Sequence, residues 1–337
     1  MKVLILILIF LSSLYSKNVL VLNSYSSTFE WTKYQSRAII SALKIRDDIN
    51  IYVEFMDTKK FKPTNQTMKN KLNYYSEKYK FISFDVVVVT DDNAINFMIE
   101  NKDKQLFKNS KIFFSGVNNL TLRDTLNKDR FAGVFEVKNP LSNLAIAKQL
   151  NKNLKTVYLI GDNTVTSKSI INLYTTQYKN INDINFEILN YTNIDNIIEK
   201  LKKYEKNSVM MIVVPAGFTK NDKHIGINSA LNYISNNYKN PIIVHDNIYT
   251  NIGNPNIIGG DCVDGKSFGE MVALDILKYF DGTAMKDIRF KSKEGNSVYL
   301  NEKVLNSYGL DIEDIATKNP IIVNKNYNTP RKTNNFF

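Results

Sequence analysis

What most limits the fold of this chain is a rhythm. Short runs rich in β-branched residues alternate with longer segments whose apolar residues recur every three or four positions. The strand-like runs are Asn18 to Leu22, Asn50 to Phe55, Asp85 to Val89, Lys111 to Phe114 and Phe131 to Glu136. They continue at Thr156 to Ile160, Asn185 to Leu189, Ser208 to Val213, Pro241 to Val244 and Asn256 to Gly259. Helical spacing marks Trp31 to Asp47, Thr64 to Tyr79, Asn139 to Leu150, Ser167 to Tyr178, Ile194 to Tyr204 and Gly226 to Tyr238. Apolar strands joined by amphipathic helices imply α/β architecture, with parallel sheets flanked by crossover helices. The pattern runs twice, over about 17 to 120 and about 137 to 255. Two lobes follow: 17–120 with 256–290, and 121–255 with 291–325, before a tail at 326–337.

The opening "MKVLILILIFLSSLYS" has one early lysine, an apolar run and a small-residue end. This is the layout of a signal peptide over 1–16, shorter than a membrane span, and it predicts a periplasmic protein. The single cysteine, Cys262, excludes an internal disulfide. A formal net charge of +11 raises nucleic acid as a partner. The lysines, however, are scattered among asparagines instead of forming a stripe, so a solvated basic surface is the expectation and nucleic acid is not.

In open α/β sheets ligands bind beyond the carboxyl ends of the strands. Here those ends read "NSYSS", "MDTKK", "TDDNA" and "SGVNN" in the first half, and "GDNTVTSK", "VPAGFTK", "HDNIYTN" and "GGDCVDG" in the second. Nearly every one mixes residues drawn from glycine, acid, amide and hydroxyl, as a site for a small polar ligand requires. Ser24 and Tyr25 lie in the loop after the first strand, and Trp31 opens the first helix. Tyr25 and Trp31 can stack on a planar ligand or simply pack. Asp91, Asp92 and Asn93 can cap a helix, or one of them can hold a ligand's ammonium or hydroxyl while the amide of Ala94 approaches a carboxylate. Ser115, Gly116 and Asn118 end the neighbouring strand, with Gly116 serving a turn or admitting the ligand. Asp246, Tyr249 and Asp261 are the second half's candidates, an acid there reaching a cationic group.

Catalytic patterns are thin. Two histidines, no zinc-ligand spacing, no G-x-S-x-G and no P-loop leave a non-catalytic protein without cofactor or metal as the expectation. A periplasmic glycosidase or other hydrolase is the rival class, since acidic residues are plentiful.

"VLVLNSYSSTFEWT", "VEFMDTKK", "FDVVVVTDDNAINFM" and "FFSGVN", in this order, together with "VYLNEKVLNSYGLDI" near the end, resemble the ABC-transporter substrate-binding-protein-like family. The likeness covers roughly 18 to 312 and includes the branch used as input domains of sensor kinases and diguanylate cyclases. It implies a type I periplasmic binding protein, with two lobes joined by three crossings that close on a small ligand. In characterised relatives that ligand is an aromatic amino acid. Its carboxylate is held by the loop that is here Thr90 to Ala94, where Asp91-Asp92 replaces a threonine-proline-alanine type sequence. The implied role is delivery of a small organic ligand, an amino acid or polar aromatic compound, to the permease of an ABC importer. The alternative is a stand-alone sensor subunit docking on a membrane kinase or cyclase, and a monomer is expected in either case.

Overall fold

A computed structural model describes residues 16–250, 256–295, 297–315, 317 and 319–324. The signal-peptide reading and the tail fall almost wholly outside them. The chain opens with β1 (Lys17–Asn23), α1 (Glu30–Leu43), β2 (Ile49–Phe55), α2 (Asn65–Lys78), β3 (Val86–Thr90) and α3 (Asp91–Asn101). It continues through β4 (Lys111–Val117), α4 (Leu122–Thr125), β5 (Phe131–Val137), α5 (Pro140–Leu150), β6 (Thr156–Gly161), α6 (Val165–Tyr178), β7 (Asn185–Asn190) and α7 (Ile194–Leu201). Then come β8 (Ser208–Val214), the short hairpin of β9 (Thr219–Lys220) and β10 (Lys223–His224), α8 (Ile227–Asn237), β11 (Ile242–Val244) and β12 (Ile257–Cys262). The last elements are α9 (Gly265–Phe280), β13 (Lys291–Glu294), β14 (Ser297–Asn301), α10 (Glu302–Ser307) and β15 (Ile321–Val323).

These elements form two units. The first comprises residues up to Val137 together with Asp264–Glu294; the second comprises Lys138–Val263 and the residues from Gly295 onward. The chain therefore passes between them three times. The first sheet has the order β13-β5-β4-β3-β1-β2, and every neighbouring pair is parallel. The second has the order β15-β14-β12-β11-β8-β6-β7, with β14 antiparallel to β12 and β15 parallel to β14.

Strand pairing corrects the expected lobe boundaries in three places. Residues 131–137 belong to the first unit because β5 pairs with β4, and 257–262 belong to the second because β12 pairs with β11. Residues 291–294 return to the first unit because β13 pairs with β5. The first two assignments rest on the preceding strand, and only the third rests on a partner distant in sequence.

Local chemistry sets the element ends. β3 and β8 are buried along their whole length, as strands covered on both faces must be. Thr64 caps α2 through a reciprocal pairing with Thr67, Asn139 accepts from the Ser142 amide ahead of Pro140, and the Asp264 carboxylate accepts from the Ser267 amide at 2.9 Å to start α9. In the first unit a cluster of Tyr75, Tyr79, Phe84, Phe97 and Phe107 packs against the valines of β3 with edge-on ring contacts. Among the described residues no helix is long and apolar enough to cross a membrane.

Candidate functional site

Register places polar side chains at one level across the first sheet. Asn23 of β1 lies opposite Thr90 of β3, and Thr90 lies opposite Ser115 of β4. The β4–β5 register then shifts at Gly116, whose φ of +72° suits a residue without a Cβ. One step beyond this row lie Ser24, Asp91 and Gly116.

Ser24 is fully buried, and its hydroxyl is inserted into the start of α3. It donates to the Thr90 carbonyl at 2.6 Å and accepts from the Ala94 amide at 2.8 Å. The Ala94 amide is thus occupied, which corrects the expectation that it could approach a ligand carboxylate. The Ser24 carbonyl accepts from both the amide and the hydroxyl of Thr58, and Asn93 Nδ2 donates to that hydroxyl at 2.9 Å. Ser24 and Asn93 therefore stitch β1, the loop after β2 and α3 together.

The two acids of α3 differ sharply. Asp92 accepts from the amides of Asn118 and Asn119 at 3.0 and 3.1 Å and from Asn118 Nδ2 at 3.3 Å, so it clamps the loop after β4. Asp91 sits at φ +64°, a conformation uncommon outside glycine although tolerated by Asp. It is 2% exposed; Oδ1 accepts from the Trp31 indole at 2.9 Å, while Oδ2 has no hydrogen-bond partner among the described residues. Burial first, and Glu136 second, hold its carboxyl well above the ordinary carboxylate range.

Trp31 is buried, with its ring 6.0 Å from that of Phe268. Tyr25 is buried edge-on to Phe29 with the Lys59 ammonium over its ring. Both aromatics pack in place, and Trp31 in addition positions Asp91. Sequence reasoning missed two neighbours. Gln35, one turn along α1 from Trp31, donates to Ser115 Oγ at 3.0 Å and leaves Oε1 without a partner among the described residues. Glu136 is 4% exposed within the otherwise apolar β5. The one available signal was a carboxylate near the end of "FAGVFEV".

The second unit carries its own polar edge. Asp246 forms an ion pair with Lys138 in which both side chains are largely withdrawn from solvent, and this gives the acid a cation within its own unit. Asp261 exchanges backbone hydrogen bonds with the Asn143 side chain, amide to Oδ1 at 2.9 Å and carbonyl to Nδ2 at 3.1 Å. Tyr249 is buried in the core beside β11.

The bonds from Asp261 fix the orientation of the Asn143 amide, so its Nδ2 faces His245 Nδ1 at 3.1 Å. Tyr174 Oη lies 2.6 Å from the same nitrogen. Nδ1 is thus held in a buried polar cluster with Asn143 and Tyr174. Burial, reinforced by Lys138, holds this imidazole well below the ordinary histidine range. Below pH 6.5 the unfolded chain takes up a proton there and the folded chain does not. Stability should fall as pH drops from that value towards 5, with a slope of up to about 1.4 kcal/mol per pH unit. Urea unfolding of wild type and His245→Gln across this window should show a flatter slope in the variant.

Among the described residues no group of three or more His, Cys, Asp or Glu side chains is placed to hold a metal ion. Two α/β units joined by three chain passages, with polar strand ends at their carboxyl edges, are the fold of the type I periplasmic binding proteins. The chain is similar to the ABC domain protein from Streptococcus pneumonia in complex with L-Trp, with a TM-score of 0.68 and 13% identity over 91% of this chain and 100% of that one. It is also similar to a ligand-free, open substrate-binding protein with adhesive properties from Clostridium difficile, with a TM-score of 0.62 and 13% identity over 92% and 100%. A LacI-family regulator from Enterococcus faecalis with bound ribose matches with a TM-score of 0.54 and 11% identity over 82% and 95%. No family model and no curated protein sequence matches the chain.

Proposed function

We propose that this chain is a non-catalytic, exported solute-binding protein that captures a small organic ligand at the carboxyl edges of its sheets and presents it to the permease of an ABC importer. The observation that carries the reading is the first unit's strand edge, where a carboxylate oxygen of Asp91 and the amide oxygen of Gln35 are buried without partners among the described residues. Buried polar groups are nearly always satisfied, and those that are not point to a missing partner. Support comes from the fold, whose solved examples include one holding L-Trp and one holding ribose. The leader-like first 16 residues support the periplasm as the place of action. Thermal-shift screening of the mature protein against small metabolites tests the reading. A ligand at 100 times its dissociation constant should add about 2.7 kcal/mol of stability. A broad screen without a single shift would count against solute binding, and turnover of a glycoside or ester would replace it with catalysis.

A further inference from the structure

Three polar side-chain ends converge over Gly116. A Cβ built there would lie 2.7 Å from Gln35 Nε2, 3.3 Å from Asp91 Oδ1 and 3.6 Å from Glu136 Oε2. Two are carboxyl groups from different elements, α3 and β5, and all three residues are at least nine-tenths buried. The surplus is of acceptors. Asp91 Oδ2 and Gln35 Oε1 are buried without a hydrogen-bond partner among the described residues. Gln35 is independent of the acidic pair and lies on a different helix, yet its side-chain amide reaches the same glycine and carries an unpartnered oxygen.

An edge of this kind suits a donor carrying positive charge. A ligand carboxylate would bring a further negative charge beside two buried carboxyl groups, and a neutral hydroxyl would give Asp91 no reason to ionise. An ammonium has several donors and one positive charge. A metal ion fits less well, because no third His, Cys, Asp or Glu completes a ligand set among the described residues.

We propose that Asp91, assisted by Glu136 and the Gln35 side-chain oxygen, forms a subsite for the ammonium group of an amine ligand. This rests on the solute-binding reading and narrows it from small organic molecules to amines. The groups facing Asp91 are Glu136 from β5, Asp92 from α3 and Lys59 from the loop after β2. With its carboxyl raised by burial, Asp91 gives up its proton when the cation arrives, so amine affinity should rise with pH across the carboxyl's titration.

The test is a matched panel: phenethylamine, tyramine, tryptamine and putrescine against phenethyl alcohol, tyrosol, tryptophol and butanediol. Thermal shift and calorimetry would be run on wild type and Asp91→Asn alongside the broad metabolite screen. The amide keeps the shape and the acceptor for the Trp31 indole while removing a buried acid, so the variant should fold with an unchanged or higher melting temperature. Amines should bind wild type at least tenfold more tightly than their alcohols, and Asp91→Asn should erase that margin. Putrescine binding should also change the emission of Trp31, the chain's single tryptophan. Hits in the broad screen that lack a cationic group, or amine binding untouched by Asp91→Asn, would overturn the amine subsite and leave solute binding standing. No hit of any class would overturn both. Should Asp91→Asn fail to fold, Glu136→Gln takes its place, and an undiminished amine preference in that variant would equally overturn the proposal.

Discussion

Replacing Lys138 by methionine should be among the most damaging single changes to the second unit. The Lys138 side chain is only 2% exposed and its partner Asp246 12%, so removing the ammonium strands a carboxylate in a largely dry environment. Breaking one side of a buried pair typically costs about 3–5 kcal/mol. For a unit of this size that amounts to a fall in melting temperature on the order of 10 °C. Lys138→Met combined with Asp246→Leu should recover most of the loss, because exchanging an entire buried pair for apolar groups is close to neutral. Thermal unfolding followed by circular dichroism decides the matter. A single variant within about 1 kcal/mol of wild type would show that Asp246 finds water or another donor without Lys138.

The second large effect is expected at Gly269, where α9 meets α1. A Cβ there would lie 2.3 Å from the Gln35 carbonyl oxygen and 2.8 Å from the Ala38 Cβ, and one at Gly265 would come within 2.8 Å of the Trp31 carbonyl oxygen. The two glycines lie one helical turn apart and let the helices approach until backbone touches backbone. Alanine at Gly269 should cost about 1–3 kcal/mol, and valine more than about 3 kcal/mol, because α1 must move as a whole. Gly226→Ala provides the contrast: nothing lies within 4 Å of a Cβ there, so the loss should stay below about 1 kcal/mol. The Gly269 variants carry a functional signature too. α1 bears both Trp31 and Gln35, so ligand-induced stabilisation should shrink in Gly269→Ala under conditions where the protein remains folded.

Much of the fold was legible in the sequence because strands covered on both faces leave unbroken apolar runs, as in "VVVVT" and "SVMMIVV". Helix starts were equally visible where Thr64 and Asn139 supply caps. The rule that ligands gather at strand ends led to Ser24, Asp91, Asp92, Ser115, Gly116 and Asn118, all of which the first unit brings to one edge. What sequence could not convey was the division of labour among them. Asp91 and Asp92 are adjacent and chemically identical, yet a left-handed backbone turns one toward the Trp31 indole while the other holds two backbone amides. Gln35 and Glu136 escaped notice because one lies mid-helix and the other is a single acid near the end of an apolar strand, without the glycine, amide or hydroxyl that marked the other strand ends. The lobe boundaries were misplaced for a related reason: β5 and β12 read alike in isolation, and only pairing with β4 and β11 assigns them.

The three chain passages bear on how the protein is made. When residue 137 leaves the ribosome, five strands of the first sheet exist, but α9 and β13 have yet to be synthesised. The face of α1 built to receive Gly265 and Gly269 therefore waits bare while the whole of Lys138–Val263 is translated. The second unit in turn lacks β14 and β15 until after residue 294. Neither unit can finish folding in order of synthesis, so completion of both is a late, long-range event that follows emergence of the last third of the chain.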